Sequence, residues 1–191
     1  SLYAVLEITA VASATSATAT VVSDSDIPDS AKSGDATEFW AEGAFSNVQG
    51  WPSSVAFYQQ RLWFGKGQTL YSSVLGDFDD FNPYNEDGLV DFATAITITI
   101  DDSQVDPIVW LTSMNRLVIG TVTGEKLLGE QNNLNPFGAD NVKIDDAGFR
   151  GSRDFIVPVR VDDSLLVIGR PGNRVYELNE DTVRRKVSGQ D

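Results

Sequence analysis

Apolar and polar positions along this chain alternate in short runs, and almost nowhere do they recur at the three- to four-residue spacing of a helix. In the opening stretch, SLYAVLEITAVASATSATATVV, Val5, Glu7, Thr9 and Val11 share one face of an extended chain and Leu6, Ile8 and Ala10 the other. Ala17 to Val22 then resume as a second strand. The alanine content argues for a helix. The density of Thr, Ser and Val, the absence of i, i+4 charge pairs and the small Ala14-Thr-Ser16 junction argue for a hairpin. Ser23 to Asp35, SDSDIPDSAKSGD, is punctuated by Pro28 and Gly34 and has little to bury, so it reads as turn and linker. A β-hairpin module with its linker is therefore expected over residues 1–35, and a second β domain over 36–191.

Three later segments resemble one another when aligned on a glycine: Trp51 to Ser73, Pro107 to Glu130 and Phe155 to Leu178. Each begins with an apolar strand (Val55 to Tyr58, Ile108 to Leu111, Ile156 to Val161) and a polar turn. A strand ending in Gly follows (Leu62 to Gly65, Leu117 to Gly120, Leu165 to Gly169), then a turn and a third strand (Thr69 to Ser72, Glu125 to Leu128, Arg174 to Leu178). This is a three-stranded meander written three times, with a repeat length of the size that radial propeller blades use. The segments between repeats offer outer strands. Ile96, Ile98 and Ile100 alternate with Thr97 and Thr99, and Asn141 to Ile144 is a shorter, more polar counterpart. The expected fold is all-β: a partial β-propeller-like array of three meander repeats, preceded by the hairpin module. A stacked sandwich of meanders is the competing arrangement. Closing a propeller takes about four to eight blades, so a ring built from these three needs residues beyond the two ends or partner chains.

Composition narrows the chemistry. The 191 residues contain no Cys and no His, which removes thiol and histidine catalysis, disulfides and the usual zinc sites. A formal charge of -14 disfavours clamping of nucleic acid phosphates. No apolar run is long enough to span a bilayer and no signal peptide shows at the start, so no membrane anchor is expected. The chain starts at Ser1 and stops in Val187-Ser-Gly-Gln-Asp191, consistent with a product of processing or a piece of a longer protein.

The charge is concentrated. Asp77, Asp79, Asp80, Glu86, Asp87, Asp91, Asp101, Asp102 and Asp106 form a belt with no Lys or Arg among them. Gly76-Asp-Phe-Asp-Asp80 only loosely resembles a calcium loop and lacks its closing Glu, so no metal is assigned. Carboxylates about 5–9 Å apart in an aromatic groove could cleave glycosides, and Phe78, Phe81, Tyr84 and Phe92 lie nearby in sequence. Other readings are a solvated face of turn-capping aspartates, or an acidic surface lining a passage through which DNA moves without sticking. The basic cluster Arg184-Arg185-Lys186 is the one tight group of cations. Gly65-Lys-Gly67 and Gly169-Arg-Pro-Gly172 lack phosphate-loop spacing and read as turns. Trp51, Trp63 and Trp110, with Phe57, Phe64 and Tyr71, occupy repeat positions that suit packing between blades better than a sugar platform. Gly65, Gly120, Gly169 and Tyr176 complete the repeat core and turns.

Ala41-Glu-Gly-Ala-Phe-Ser46, the string GWPSSVAFYQQRLWFG from Gly50 to Gly65, Thr69-Leu-Tyr-Ser-Ser73, Gly76-Asp-Phe-Asp-Asp-Phe81, Asp91-Phe92 and Gln104 to Leu111 together resemble the tail nozzle proteins of short-tailed bacteriophages, also called tail tubular protein B. The likeness continues through Arg116 to Thr121, Gly124-Glu125, Gly151-Ser152 and Asn173 to Leu178. The Gly50 to Gly65 string is its most specific part.

The resemblance implies a structural virion protein of the tail, made in the bacterial host cytoplasm and assembled as a homo-hexamer. Its tube would guide DNA at ejection, with transient non-specific passage of the genome, and would contact the tail adaptor and the fibre or other tail proteins. It implies no catalytic residue and no cofactor, and makes the acidic residues a surface or lumen belt. A carbohydrate-active enzyme or glycan-binding module, using carboxylates and aromatics in a propeller groove, is the alternative.

Overall fold

The computed structural model describes residues 4–22, 26–32, 40–85, 87–101, 104–154, 156–170, 172 and 174–179. The chain divides into two compact units, Ser1–Ala44 with Tyr84–Leu89, and Phe45–Pro83 with Val90–Asp191. The boundary falls later than the linker composition suggests. Phe45 enters the second unit because its ring packs edge-on against Phe64 (5.4 Å) and Tyr71 (5.1 Å).

In the first unit β1 (Leu6–Ser13) and β2 (Ser16–Val21) form an antiparallel hairpin. Its register corrects the simple alternation. Leu6 faces Val21 and Ile8 faces Ala19, but an irregularity between Ile8 and Ala10 brings Val11 opposite Ala17. The bulge moves Val11 onto the face of Leu6 and Ile8, so one face is wholly apolar and the other carries Glu7, Thr18 and Thr20. The linker contains one helical turn, α1 (Asp29–Lys32), opened by a bond from Ala31 N to Pro28 O of 2.9 Å. Residues 23–25 and 33–39 of the expected linker lie outside the described residues.

The second unit is built from three antiparallel meanders. β3 (Ser54–Tyr58), β4 (Arg61–Lys66), β5 (Thr69–Ser72) and β6 (Thr97–Thr99) make the first sheet. The second sheet consists of β7 (Ile108–Ser113), β8 (Leu117–Thr121), β9 (Glu125–Glu130) and β10 (Val142–Gly148). In the third are β11 (Val159–Val161), β12 (Ser164–Gly169) and β13 (Arg174–Asn179). The intervening segments do supply fourth strands, β6 beside β5 and β10 beside β9. β6 is shorter than the Ile/Thr alternation suggests, and the third repeat's first strand begins only at Val159. Ahead of it Ser152 bridges Gly169.

Two apolar layers hold the sheets together. Tyr58, Trp63, Leu70, Ile96 and Ile100 of the first repeat pack with Ile108, Leu111, Leu117, Ile119 and Leu128 of the second. Trp110, Val118, Leu127 and Ala147 pack with Leu165, Val167 and Leu178 of the third. Leu117 and Ile119 point to one layer and Val118 to the other, so the second sheet is buried on both faces. β3 and β7 run side by side in the same direction. Ser53 Oγ donates to Ile108 O (3.2 Å) at their start, and Ser113 Oγ donates to Phe57 O at their end.

The stacking does not repeat uniformly. The first sheet meets the second through the face that carries Trp63 and Gly65, and the second meets the third through the equivalent face of Val118 and Gly120, but the third answers with a different face. A uniform array would set Leu166 and Ile168 against Val118, but it is Val167 that does so. The register of β12 with β13 explains this. Leu165 pairs with Leu178, Val167 with Tyr176 and Gly169 with Arg174, while the opposite face pairs Ile168 with Val175 but also Leu166 with Glu177 and Ser164 with Asn179. The more apolar face turns inward. Among the described residues the sheets close no ring.

Candidate functional site

The acidic belt resolves into loops whose aspartates organise backbone. Asp77 Oδ1 accepts Asp79 N (3.1 Å), and Asp80 Oδ1 accepts Asn82 N (2.8 Å). Asp91 Oδ1 accepts both Ala93 N (2.8 Å) and Thr94 N (3.1 Å), while Thr94 Oγ1 donates back to Asp91 O (2.9 Å). These short-range patterns are what aspartate side chains do in turns. Asp106 differs: it is fully buried, and its Oδ1 accepts Thr123 N (2.8 Å), fastening the β6–β7 connection to the β8–β9 turn. Asp77, Asp79, Asp87 and Asp101 are exposed, and Asp80 and Asp91 are half-buried. Glu86, Asp102 and the Arg184-Arg185-Lys186 cluster lie outside the described residues. Among the described residues no group of three or more carboxylates is placed to hold a metal ion.

The belt is tied to the first sheet by Arg61, which the sequence reading passed over. Its side chain is fully buried. Nη1 donates to Ser73 O and Thr94 O, each at 2.7 Å, and Nη2 donates to Phe92 O. One guanidinium thus gathers the end of β5 and the loop after Asp91 into a fixed arrangement. Burial pushes the Arg61 guanidinium down from its ordinary value, and the neighbouring Asp91 carboxylate pulls it back up. The sequence offers one signal: an Arg in the alternate position to Trp63 and Gly65 must face the same way as they do.

The three landmark glycines have a common cause. A Cβ at Gly120 would collide with the Trp110 ring, and one at Gly169 with the Tyr176 ring. At Gly65 it would come within 2.5 Å of Ser54 Oγ and 2.8 Å of Ile108 Cγ2. Each glycine leaves space for a neighbouring strand's side chain or for the next sheet. Trp63 and Trp110 are buried, and Tyr176 is half-buried under the Arg150 guanidinium, which lies 4.5 Å from its ring centroid. Trp51 is not part of the core. It is 64% exposed and precedes β3, with its indole N–H donating to Asn47 Oδ1 (3.2 Å). Phe57 is also exposed, because it lies on the outer face of β3. In place of Trp51 the first layer takes Phe137 from the β9–β10 connection, with its ring 5.6 Å from Tyr58 and 6.2 Å from Trp63. Buried Asn141 shapes that connection by donating from Nδ2 to the carbonyls of Asn132, Asn135 and Pro136.

No helix among the described residues is long and apolar enough to cross a membrane. No protein-family model matches the chain, and no curated protein matches it in sequence.

Proposed function

We propose that the chain is a structural component of a short-tailed phage tail tube, a nozzle protein that guides DNA during ejection and contacts neighbouring tail proteins. The observation that carries this reading is the Gly50 to Gly65 string, which supplies the resemblance and forms one structural unit: the entry to β3, the hairpin of β3 with β4, and the glycine that receives the second sheet. The parallel course of β3 and β7 is the relation that innermost strands of successive propeller blades share, and it supports a propeller-like relation of the first two meanders. The third enters with its other face, so blade-like stacking of uniform polarity covers the first two alone.

The belt chemistry suits a conduit. Asp77, Asp80 and Asp91 are held by turn bonds, and the exposed Asp101 presents negative charge in a stretch of sequence without cations, to which DNA phosphates do not adhere. In this reading the working form is a homo-hexamer in the virion tail, in contact with an adaptor and with fibres or other tail proteins. Electron cryomicroscopy of the phage particle that encodes the chain tests it. The expected result is density for the three sheets in six copies around the tail axis. Complete, infectious particles that lack the chain would overturn the reading.

A further inference from the structure

The outer face of the first sheet ends in an exposed aromatic pair at the β3–β4 turn. Phe57 is 58% exposed and Phe78 42%, and their rings meet edge to face at 5.1 Å and 76°. Val55, two residues before Phe57 on the same face, is exposed as well. The loop that carries Phe78 is held against the turn by Gly76 N donating to Gln60 O (2.9 Å), and it is closed on itself by Val74 N donating to Asp80 O (2.8 Å). Asp77 and Asp79 flank Phe78 and are exposed. Little cationic charge balances them. The sequence has no Lys or Arg between Lys66 and Arg116. Lys66 lies at the far end of β4, above Phe45, and Arg61 is turned to the inner face with its guanidinium on three carbonyls.

A pair of exposed apolar rings in a loop that also carries two exposed aspartates selects its occupant by charge. DNA phosphates are repelled by exposed carboxylates. A neutral sugar ring can stack on one ring face but brings no charge to meet the flanking carboxylates. A guanidinium satisfies both parts of the patch, because its plane stacks on aromatic rings while its fork of donors meets carboxylates. We propose that Val55, Phe57 and Phe78, with Asp77 and Asp79, form a docking site for an arginine-bearing segment of a basic partner protein. This holds whether or not the chain belongs to a phage tail. It assigns Asp77 and Asp79 to a protein contact and leaves Asp101 as an exposed carboxylate for a passage.

Calorimetric titration with an oligo-arginine peptide tests the proposal, with an oligo-lysine peptide and a short β-glucan oligosaccharide in parallel. The arginine peptide is expected to bind more tightly than the lysine peptide. Phe57→Ser with Phe78→Ser should weaken it by about tenfold or more, and Asp77→Asn with Asp79→Asn should weaken it similarly and flatten its salt dependence. The Asn pair keeps an oxygen for the Asp79 amide, so it supplies the test if the Phe pair disturbs the sheet. Equal affinity for both peptides with no loss in either pair would mean general adsorption to an acidic chain and would overturn the proposal. So would binding of the oligosaccharide alone, or no binding.

Discussion

Leu-Val-Ile-Gly occurs twice in this chain, at 117–120 in β8 and at 166–169 in β12, and the two copies have different surroundings. In β8 all four residues are buried, because sheets press on it from both sides. In β12 only Val167 and Gly169 are buried, and Leu166 is 39% exposed. The local sequence specifies a strand in both places. Whether one face or two is covered depends on what stacks against it, and for β12 on a partner strand whose own alternation decides which face turns inward.

The sharpest way to break the comparison is to shorten the matching side chains. Leu117→Ala should lower stability by about 3–4 kcal/mol, as for a large core residue whose cavity cannot collapse. Leu166→Ala should cost about 0.5–1 kcal/mol. Urea denaturation of both variants measures the gap, and equal losses would mean that β12 is covered on both sides too. Arg61→Met extends the comparison to the first sheet. The buried carbonyls of Ser73 and Thr94 and the part-buried carbonyl of Phe92 lose their charged donor, so a loss of about 3 kcal/mol is expected, with early proteolysis near residues 92–94.

The two glycines give a finer contrast. Gly120→Ala drives a methyl into a Trp110 ring that is buried and has nowhere to move, for about 2–3 kcal/mol. Gly169→Ala meets the half-exposed Tyr176, which can swing outward, for about 1 kcal/mol. Thermal melting of the pair checks the order.

The smallest effect is expected at an exposed site. The Lys32 ammonium donates to Asp26 Oδ2 at 2.7 Å and holds that carboxyl below its usual range. A carboxyl with a depressed pKa favours the folded state above its ordinary pKa, and that contribution disappears as pH falls through the folded value. Both groups are solvated, so Lys32→Ala should shift the Asp26 titration upward by NMR and leave the melting temperature unchanged within error.

Much of the second unit was legible because its strands are short, β-rich and separated by turn residues. The meander order and the outer strands β6 and β10 follow from alternation alone. Three features were not legible. The bulge after Ile8 moves Val11 across the hairpin, and nothing in a run of Thr and Ala marks where the extra residue falls. The tight turn at Gln59-Gln60 holds both residues at positive φ, 50° and 54°, without the Asn or Gly that usually signals such a turn. The inverted third sheet depends on cross-strand pairing, which lies outside any single segment. At the belt, the loop-forming role of aspartate was readable from its residue type. The burial of Asp106 and the three-carbonyl grip of Arg61 join residues far apart in sequence, so spacing named none of their partners, and alternation signalled only that Arg61 points inward.

The second sheet is held from both sides while the third is held from one. Native-state hydrogen exchange tests this most directly. Amides of Val118 and Ile119 should exchange only through global unfolding, while those of Leu166 and Ile168 exchange through a smaller opening of the third sheet, at least about tenfold faster. Equal protection of the two Leu-Val-Ile-Gly copies, or slower exchange in β12, would contradict it.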